Sequence, residues 1–250
     1  MNNLRMKSLY GLLLYFVIYT LGAFIIQFII GFAISNVYDI SFATLLSTNP
    51  FNYEVNSKMY LASLNLLTYT NLFLYIAYFI GFVIMFFKEL KSDLFDYKNK
   101  WVKNTIYIVL GITILYSSNI LINKLASING VDQSSNQKLI EAMFSNNGMI
   151  PVFLSVVLFA PIVEEMVYRK CIYGICQNKI LYYIIAPLLF GFIHMSTMDG
   201  STPLAWFLTF LPYATSGLIL AITYERTENI YVSTGVHMLN NLIGFILLCL

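Results

Sequence analysis

Residues 149–176 read MIPVFLSVVLFAPIVEEMVYRKCIYGIC, an apolar run broken by two acids, Glu164 and Glu165, and then by two bases, Arg169 and Lys170. Fifteen uncharged residues precede Glu164. About 20 residues of helix cross a hydrocarbon core roughly 30 Å thick, so the run is long enough to span. A charge near the centre of such a helix costs roughly 2.5–3.5 kcal/mol or more. Ionisable groups in this position therefore need a partner or a task. Glu165 and Arg169 stand at i,i+4 with the acid first, the favourable order for an ion pair on a helix. Glu164 lies about 100° further round the same helix and faces different surroundings. Two adjacent carboxylates that share one cation titrate unequally, which is the asymmetry general-base chemistry uses.

The rest of the chain repeats the apolar pattern. Of 250 residues, 59% are hydrophobic and 10% charged, against about 25% charged in soluble domains. Seven segments are long enough to span: 9–34, 60–87, 104–124, 149–176, 180–197, 203–223 and 229–249. The first exceeds the 7–15 residues of a signal-peptide core and reads as a retained span. Open strand edges cannot be satisfied in lipid, so the expected fold is an all-α, polytopic transmembrane bundle of seven helices. An eighth, re-entrant or interfacial, stays open within 35–59. The polar connection 125–148 is expected to hold a surface helix near Leu139–Phe144. The chain divides into N-terminal spans and loops, 1–148, and a chemistry-bearing core, 149–250. Cys171, Cys176 and Cys249 form no CxxC pair and read as packing residues.

Charge placement orients the bundle. With the N-terminus inside, Arg5, Lys7, Lys88, Lys91, Lys98, Lys100, Lys103, Arg169, Lys170, Lys179 and Arg226 fall at cytoplasmic ends, leaving Lys58, Lys124 and Lys138 outside. That bias predicts a multi-pass cell-membrane protein with a cytoplasmic N-terminus.

Both histidines of the chain fall within expected spans: His194 in Phe190-Gly191-Phe192-Ile193-His194, and His237 in His237-Met238-Leu239-Asn240-Asn241. His237 and Asn241 share a helix face at i,i+4. At about 1.5 Å rise per residue, Glu164, His194, His237 and Asn241 lie roughly 12–21 Å from the cytoplasmic ends of their helices. Polar groups from three helices thus occupy one layer. Pro161 is expected to kink its helix and free a carbonyl near them.

The three motifs together, Glu164-Glu165-x-x-x-Arg169, Phe190-x-x-x-His194 and His237-x-x-x-Asn241, resemble the signature of the CAAX-protease and bacteriocin-processing (CPBP, or Abi) family, which includes the type II CAAX prenyl endopeptidases. The likeness covers about 151–250. It implies an intramembrane endopeptidase with a cavity open to the cytosol or lipid. Glu164 and His194 would activate a water, and His237 and Asn241 would hydrogen-bond the oxyanion. Glu165 and Arg169 would hold the first motif in place. The implied partners are a peptide or membrane-protein substrate and the lipid bilayer, not nucleic acid.

Glu164, His194 and His237 also make up a three-ligand set that Zn²⁺ accepts. The HExxH pair typical of zinc peptidases is absent from the sequence, which favours a metal-free mechanism. Two other functions compete: a non-catalytic bacteriocin self-immunity or scaffold protein, and a proton-coupled transporter, against which the lack of internal repeats counts.

Overall fold

Ionic contacts between helix ends fix how the bundle is assembled. The structure, a computed structural model, describes residues 3–131, 133–176, 178–196, 199–200 and 202–250. Among the described residues the chain forms nine helices and no strand. They are α1 (Leu4–Tyr38), α2 (Phe42–Leu46), α3 (Lys58–Asn99), α4 (Trp101–Ile128), α5 (Ser135–Met143), α6 (Met149–Ile175), α7 (Lys179–Ile193), α8 (Pro203–Thr227) and α9 (Ile230–Leu248). Six of these, α1, α3, α4, α6, α8 and α9, are long and apolar enough to cross a membrane.

Local chemistry starts and stops the helices where polar residues interrupt the apolar runs. Ser57, Ser134, Asn178, Thr202 and Asn229 each cap the following helix by accepting a backbone N–H within its first turn. These are the residue types that satisfy orphan donors at an N-terminus. At the other ends, Asp39 and Glu228 adopt left-handed conformations that close α1 and α8.

Two expectations about the spans change. The fifth segment is α7, which has 15 residues, about 22 Å of helix, and does not by itself cover a core of roughly 30 Å. Apolar sequence continues to Met195, but a polar turn takes over. The Ser196 N–H donates to Asp199 Oδ2 at 2.7 Å, and Gly200 has φ +78°. The expected end of that segment, residue 197, lies outside the described residues. Within 35–59 there is only the five-residue α2 and a 3₁₀ turn at Pro50–Asn52, neither long enough to span. The expected surface helix in 125–148 is α5.

One end of the bundle is tied by ion pairs. Lys7 on α1 meets Glu89 on α3 at 2.7 Å, and Lys170 on α6 meets Asp93 on α3 at 2.5 Å. Lys179 on α7 pairs with Glu225 on α8. Asn229, between α8 and α9, donates to the Asp93 carbonyl at 2.6 Å. This basic end gathers most of the Lys and Arg that the sequence assigns to the cytoplasm. Away from that end α5 is fastened to its neighbours at its N-terminus: Ser134 Oγ lies 2.7 Å from the hydroxyl of Tyr213, midway along α8, and the Ser135 N–H donates to Asp199 Oδ1 at 2.6 Å.

The enclosed helix is α6, over half of whose span is buried, whereas the apolar window of α1 has no buried residue. Leu13, Phe16, Phe24 and Ile29 on α1 are exposed, as lipid-facing side chains are. Small residues let the inner helices approach. A Cβ on Gly191 would stand 2.5 Å from Phe210 Cε2, bringing α7 against α8, and one on Gly111 would stand 2.8 Å from Val236 Cγ2, bringing α4 against α9. Close approach through small residues is how membrane helices gain packing where lipid supplies no hydrophobic drive.

Candidate active site

Glu164 and Glu165 occupy a short α-helical segment, Ala160–Glu165, between two π-helical stretches of α6, Phe153–Phe159 and Met166–Cys171. In the first stretch the Ala160 N–H reaches back five residues to the Ser155 carbonyl. The same register would have residue 161 donate to the Val156 carbonyl, but proline has no N–H. Asn241 on α9 supplies the missing donor: its Nδ2 lies 2.9 Å from the Val156 oxygen. The carbonyl freed by Pro161 is therefore bonded across the helix interface rather than left in an apolar interior.

The two adjacent carboxylates diverge. Glu165 is fully buried, with Oε2 3.0 Å from Arg169 Nε and Oε1 3.1 Å from His237 Nδ1. The Arg169 contact is ionic rather than a well-aligned hydrogen bond, since neither Nε nor Oε2 has a hydrogen-bond partner and Nη1 and Nη2 also lack one. The guanidinium is placed instead over the Phe190 ring, 4.8 Å from its centre, a cation–π arrangement that favours a desolvated arginine.

Glu164 turns to the cavity. Its Oε1 accepts a hydrogen bond from the Tyr75 hydroxyl at 3.0 Å. Its Oε2 lies 3.9 Å from His194 Nε2 and 3.8 Å from His237 Nε2. These gaps exceed direct hydrogen bonds and suit a single bridging water.

Both imidazoles are oriented from behind. His194 Nδ1 lies 2.7 Å from the Phe190 carbonyl oxygen, which only accepts, so Nδ1 carries the hydrogen. His237 Nδ1 faces the Glu165 carboxylate and carries its hydrogen for the same reason. In the neutral rings each Nε2 then presents a lone pair towards Glu164. Tyr213 stacks on His194 with 4.8 Å between ring centres.

As a metal set, one carboxylate and two Nε2 lone pairs suit zinc chemically. Ligands at 2.0–2.1 Å in a tetrahedral array would be about 3.3 Å apart, however, closer than the 3.8 and 3.9 Å found here. Among the described residues no group of three or more His, Cys, Asp or Glu is arranged to hold a metal ion.

A cavity of about 760 Å³ is lined by Glu164, His194, His237 and Asn241. The six polar residues of the three motifs thus fall in two layers. Glu164, His194, His237 and Asn241 reach the cavity, while Glu165 and Arg169 stand behind His237. Tyr75 and Tyr213 went unnoticed in the sequence, where nothing separates them from the 17 other tyrosines. Only the packing of α3 and α8 against α6 and α7 shows what they do.

Residues 146–243 match the family described as "Type II CAAX prenyl endopeptidase Rce1-like". The chain is 31% identical over 144 residues to the UPF0177 protein YvdC of Lactococcus lactis subsp. lactis (strain IL1403), covering 56% of this chain and 51% of that protein. It is 27% identical over 163 residues to the UPF0177 protein YajF of the same organism, covering 65% and 74%. It is 32% identical over 106 residues to the membrane-embedded CAAX protease MroQ of Staphylococcus aureus (strain USA300), covering 40% and 39%. The chain therefore spans about half the length of YvdC. No solved structure matches. Together with the six long apolar helices, these likenesses make the chain a multi-pass membrane protein.

Proposed function

We propose, from the match of residues 146–243 to the family described as Type II CAAX prenyl endopeptidase Rce1-like, that the chain is an intramembrane endopeptidase that hydrolyses a peptide bond with a water held between Glu164 and His194. The observation that carries this reading is the gap at Glu164 Oε2, bordered at 3.9 and 3.8 Å by two imidazole nitrogens.

In this reading Glu164 removes a proton from the water as its oxygen attacks the carbonyl carbon. Tyr75 holds the carboxylate's other oxygen in place. His237, its Nδ1–H anchored on Glu165, acts in the imidazolium form and donates from Nε2 to the developing oxyanion, with the second hydrogen of the Asn241 amide beside it. Stabilisation of this type is often worth about 10²–10³ in rate. When the C–N bond breaks, the proton taken by Glu164 passes to the leaving amine. Glu165 and Arg169 are positioning residues. The cytoplasmic N-terminus inferred from charge belongs to the same proposal.

The test uses purified protein in detergent with a peptide mixture read by mass spectrometry. Glu164→Gln, His194→Ala and His237→Ala are each expected to lower cleavage at least about 100-fold while helicity stays that of the parent. Parent-like cleavage by Glu164→Gln overturns the assignment of the base, whereas no cleavage by the parent favours a non-catalytic immunity or scaffold role.

A further inference from the structure

His194 is the residue at which α7 ends. Its backbone N–H and that of Met195 reach back three residues, to the Gly191 and Phe192 carbonyls, the tight last turn in which helices fray. The hydrogen bond from its Nδ1 goes to the Phe190 carbonyl, one turn back on the same helix, so ring and helix end move together. Glu164 and His237, in contrast, stand in the interior of α6 and α9.

Two chains of contact reach this helix end from outside α7, and both start at the N-terminus of α5. The Tyr213 ring on α8 lies nearly parallel to the His194 imidazole, with 14° between planes and 4.8 Å between centres, within the range of aromatic stacks. Its hydroxyl is 2.7 Å from that of Ser134. Ser134 is itself fixed, since its Oγ accepts the Gln137 N–H at 3.2 Å as the cap of α5. The next residue, Ser135, donates its N–H to Asp199 Oδ1 at 2.6 Å. That N–H is one of the first-turn donors for which a helix has no internal acceptor. The other oxygen of the same carboxylate accepts the N–H of Ser196, two residues beyond His194, at 2.7 Å. Ser134 and Asp199 are buried, and hydrogen bonds in such surroundings hold more strongly than in water.

We infer that the N-terminus of α5 braces His194, with Tyr213 and Asp199 as positioning residues for the imidazole. The inference rests on the peptidase reading above. Tyr213 holds the face of the ring and limits its rotation, which keeps Nε2 directed at Glu164 Oε2 across the 3.9 Å gap. Asp199 holds the backbone just past the ring and stops the helix end from swinging. A misplacement of about 1 Å costs a reacting group on the order of 100-fold in rate, so an imidazole on a fraying helix end needs support from elsewhere in the fold.

Two measurements test the brace. In the first, protein carrying ¹⁵N-labelled histidine is studied by NMR in detergent without substrate, and His194→Gln assigns the ring signals of the two histidines. The parent is expected to hold His194 as one tautomer, with hydrogen on Nδ1. Tyr213→Leu and Asp199→Ala are each expected to move the His194 signals towards those of an exchanging mixture and to leave His237 unchanged. His194 signals that stay put in either variant overturn the inference. The second measurement is peptide cleavage. Tyr213→Leu is expected to lower kcat about 10–100-fold with KM changed less than about threefold. Tyr213→Phe keeps the stack and loses only the hydroxyl, so its kcat should fall about 3–10-fold. In a His194→Ala background Tyr213→Phe should change kcat less than about twofold, because a residue that acts through the ring has nothing left to act on. Equal falls in both backgrounds overturn the inference even if Tyr213→Leu proves too unstable to assay. If the parent cleaves no peptide while the ring signals respond as expected, the peptidase reading falls and the hold of α5 on His194 stands.

Discussion

His237 Nδ1 and Glu165 Oε1 meet at 3.1 Å across the interface of α9 and α6. The contact sets which ring nitrogen carries hydrogen and aims the other at Glu164, 3.8 Å away. It therefore distinguishes two neighbouring carboxylates: Glu165 orients an imidazole, and Glu164 faces the cavity. Glu165→Gln keeps the shape but removes the carboxylate that anchors the His237 Nδ1–H, because the amide can present its own N–H there and turn the ring away from its two-donor role. The expected outcome is a fall in kcat of about 100-fold or more with KM changed far less, read by steady-state kinetics on a cleaved peptide. Loss in KM alone would remove Glu165 from this role.

Arg169 is expected to matter for stability rather than binding. Its guanidinium is wholly buried beside Glu165 and over Phe190. Arg169→Ala leaves the buried Glu165 carboxylate without its cation and held only by His237, and breaking a buried ion pair typically costs roughly 3–5 kcal/mol. Replacing both partners, as in Glu165→Leu with Arg169→Met, should recover much of that loss, because a well-packed apolar pair is often neutral or better. Thermal unfolding in detergent separates these outcomes.

Tyr75 tests the first motif from a helix outside it. Tyr75→Phe removes the hydroxyl that donates to Glu164 Oε1 at 3.0 Å and leaves the ring packed. Hydrogen bonds to charged groups contribute about 1.5–3 kcal/mol, so kcat is expected to drop about 10–100-fold without loss of fold. A variant as active as the parent would show that Glu164 is held by other contacts.

Pro161 and Asn241 should be coupled although 80 positions separate them. Asn241→Leu leaves the Val156 carbonyl without its donor, an expected cost of about 1–3 kcal/mol. In Pro161→Ala the returned backbone N–H offers that carbonyl a replacement, so Asn241→Leu should be less destabilising in the Pro161→Ala background. A double-mutant cycle on unfolding measures the difference. Strict additivity would mean that the carbonyl was never shared.

Zinc is tested through Glu164, His194 and His237. The metal-free reading expects cleavage to survive chelation, with no bound zinc in the purified, active protein. Activity lost to a chelator and restored by zinc alone would assign those three side chains to the metal.

The amino-acid sequence by itself determined the class of fold and the positions of most spans. Those depend on local properties: an apolar run must become a helix in lipid, and Ser, Thr or Asn at its start closes the first turn. It likewise determined that Glu165 and Arg169 pair, because four residues of helix bring them together whatever surrounds them. The shortness of α7 was not legible. Apolar residues run on past its end, where Asp199, itself bonded to Ser135 of α5, accepts the Ser196 N–H. The roles of Tyr75, Tyr213 and Asn241 were equally hidden. Each acts on a residue more than 15 positions away, and direction in space between helices is set by packing rather than spacing. Tertiary structure alone decided that the two imidazoles turn their Nε2 atoms to one carboxylate oxygen, since each ring takes its tautomer from an acceptor that folding brings to Nδ1.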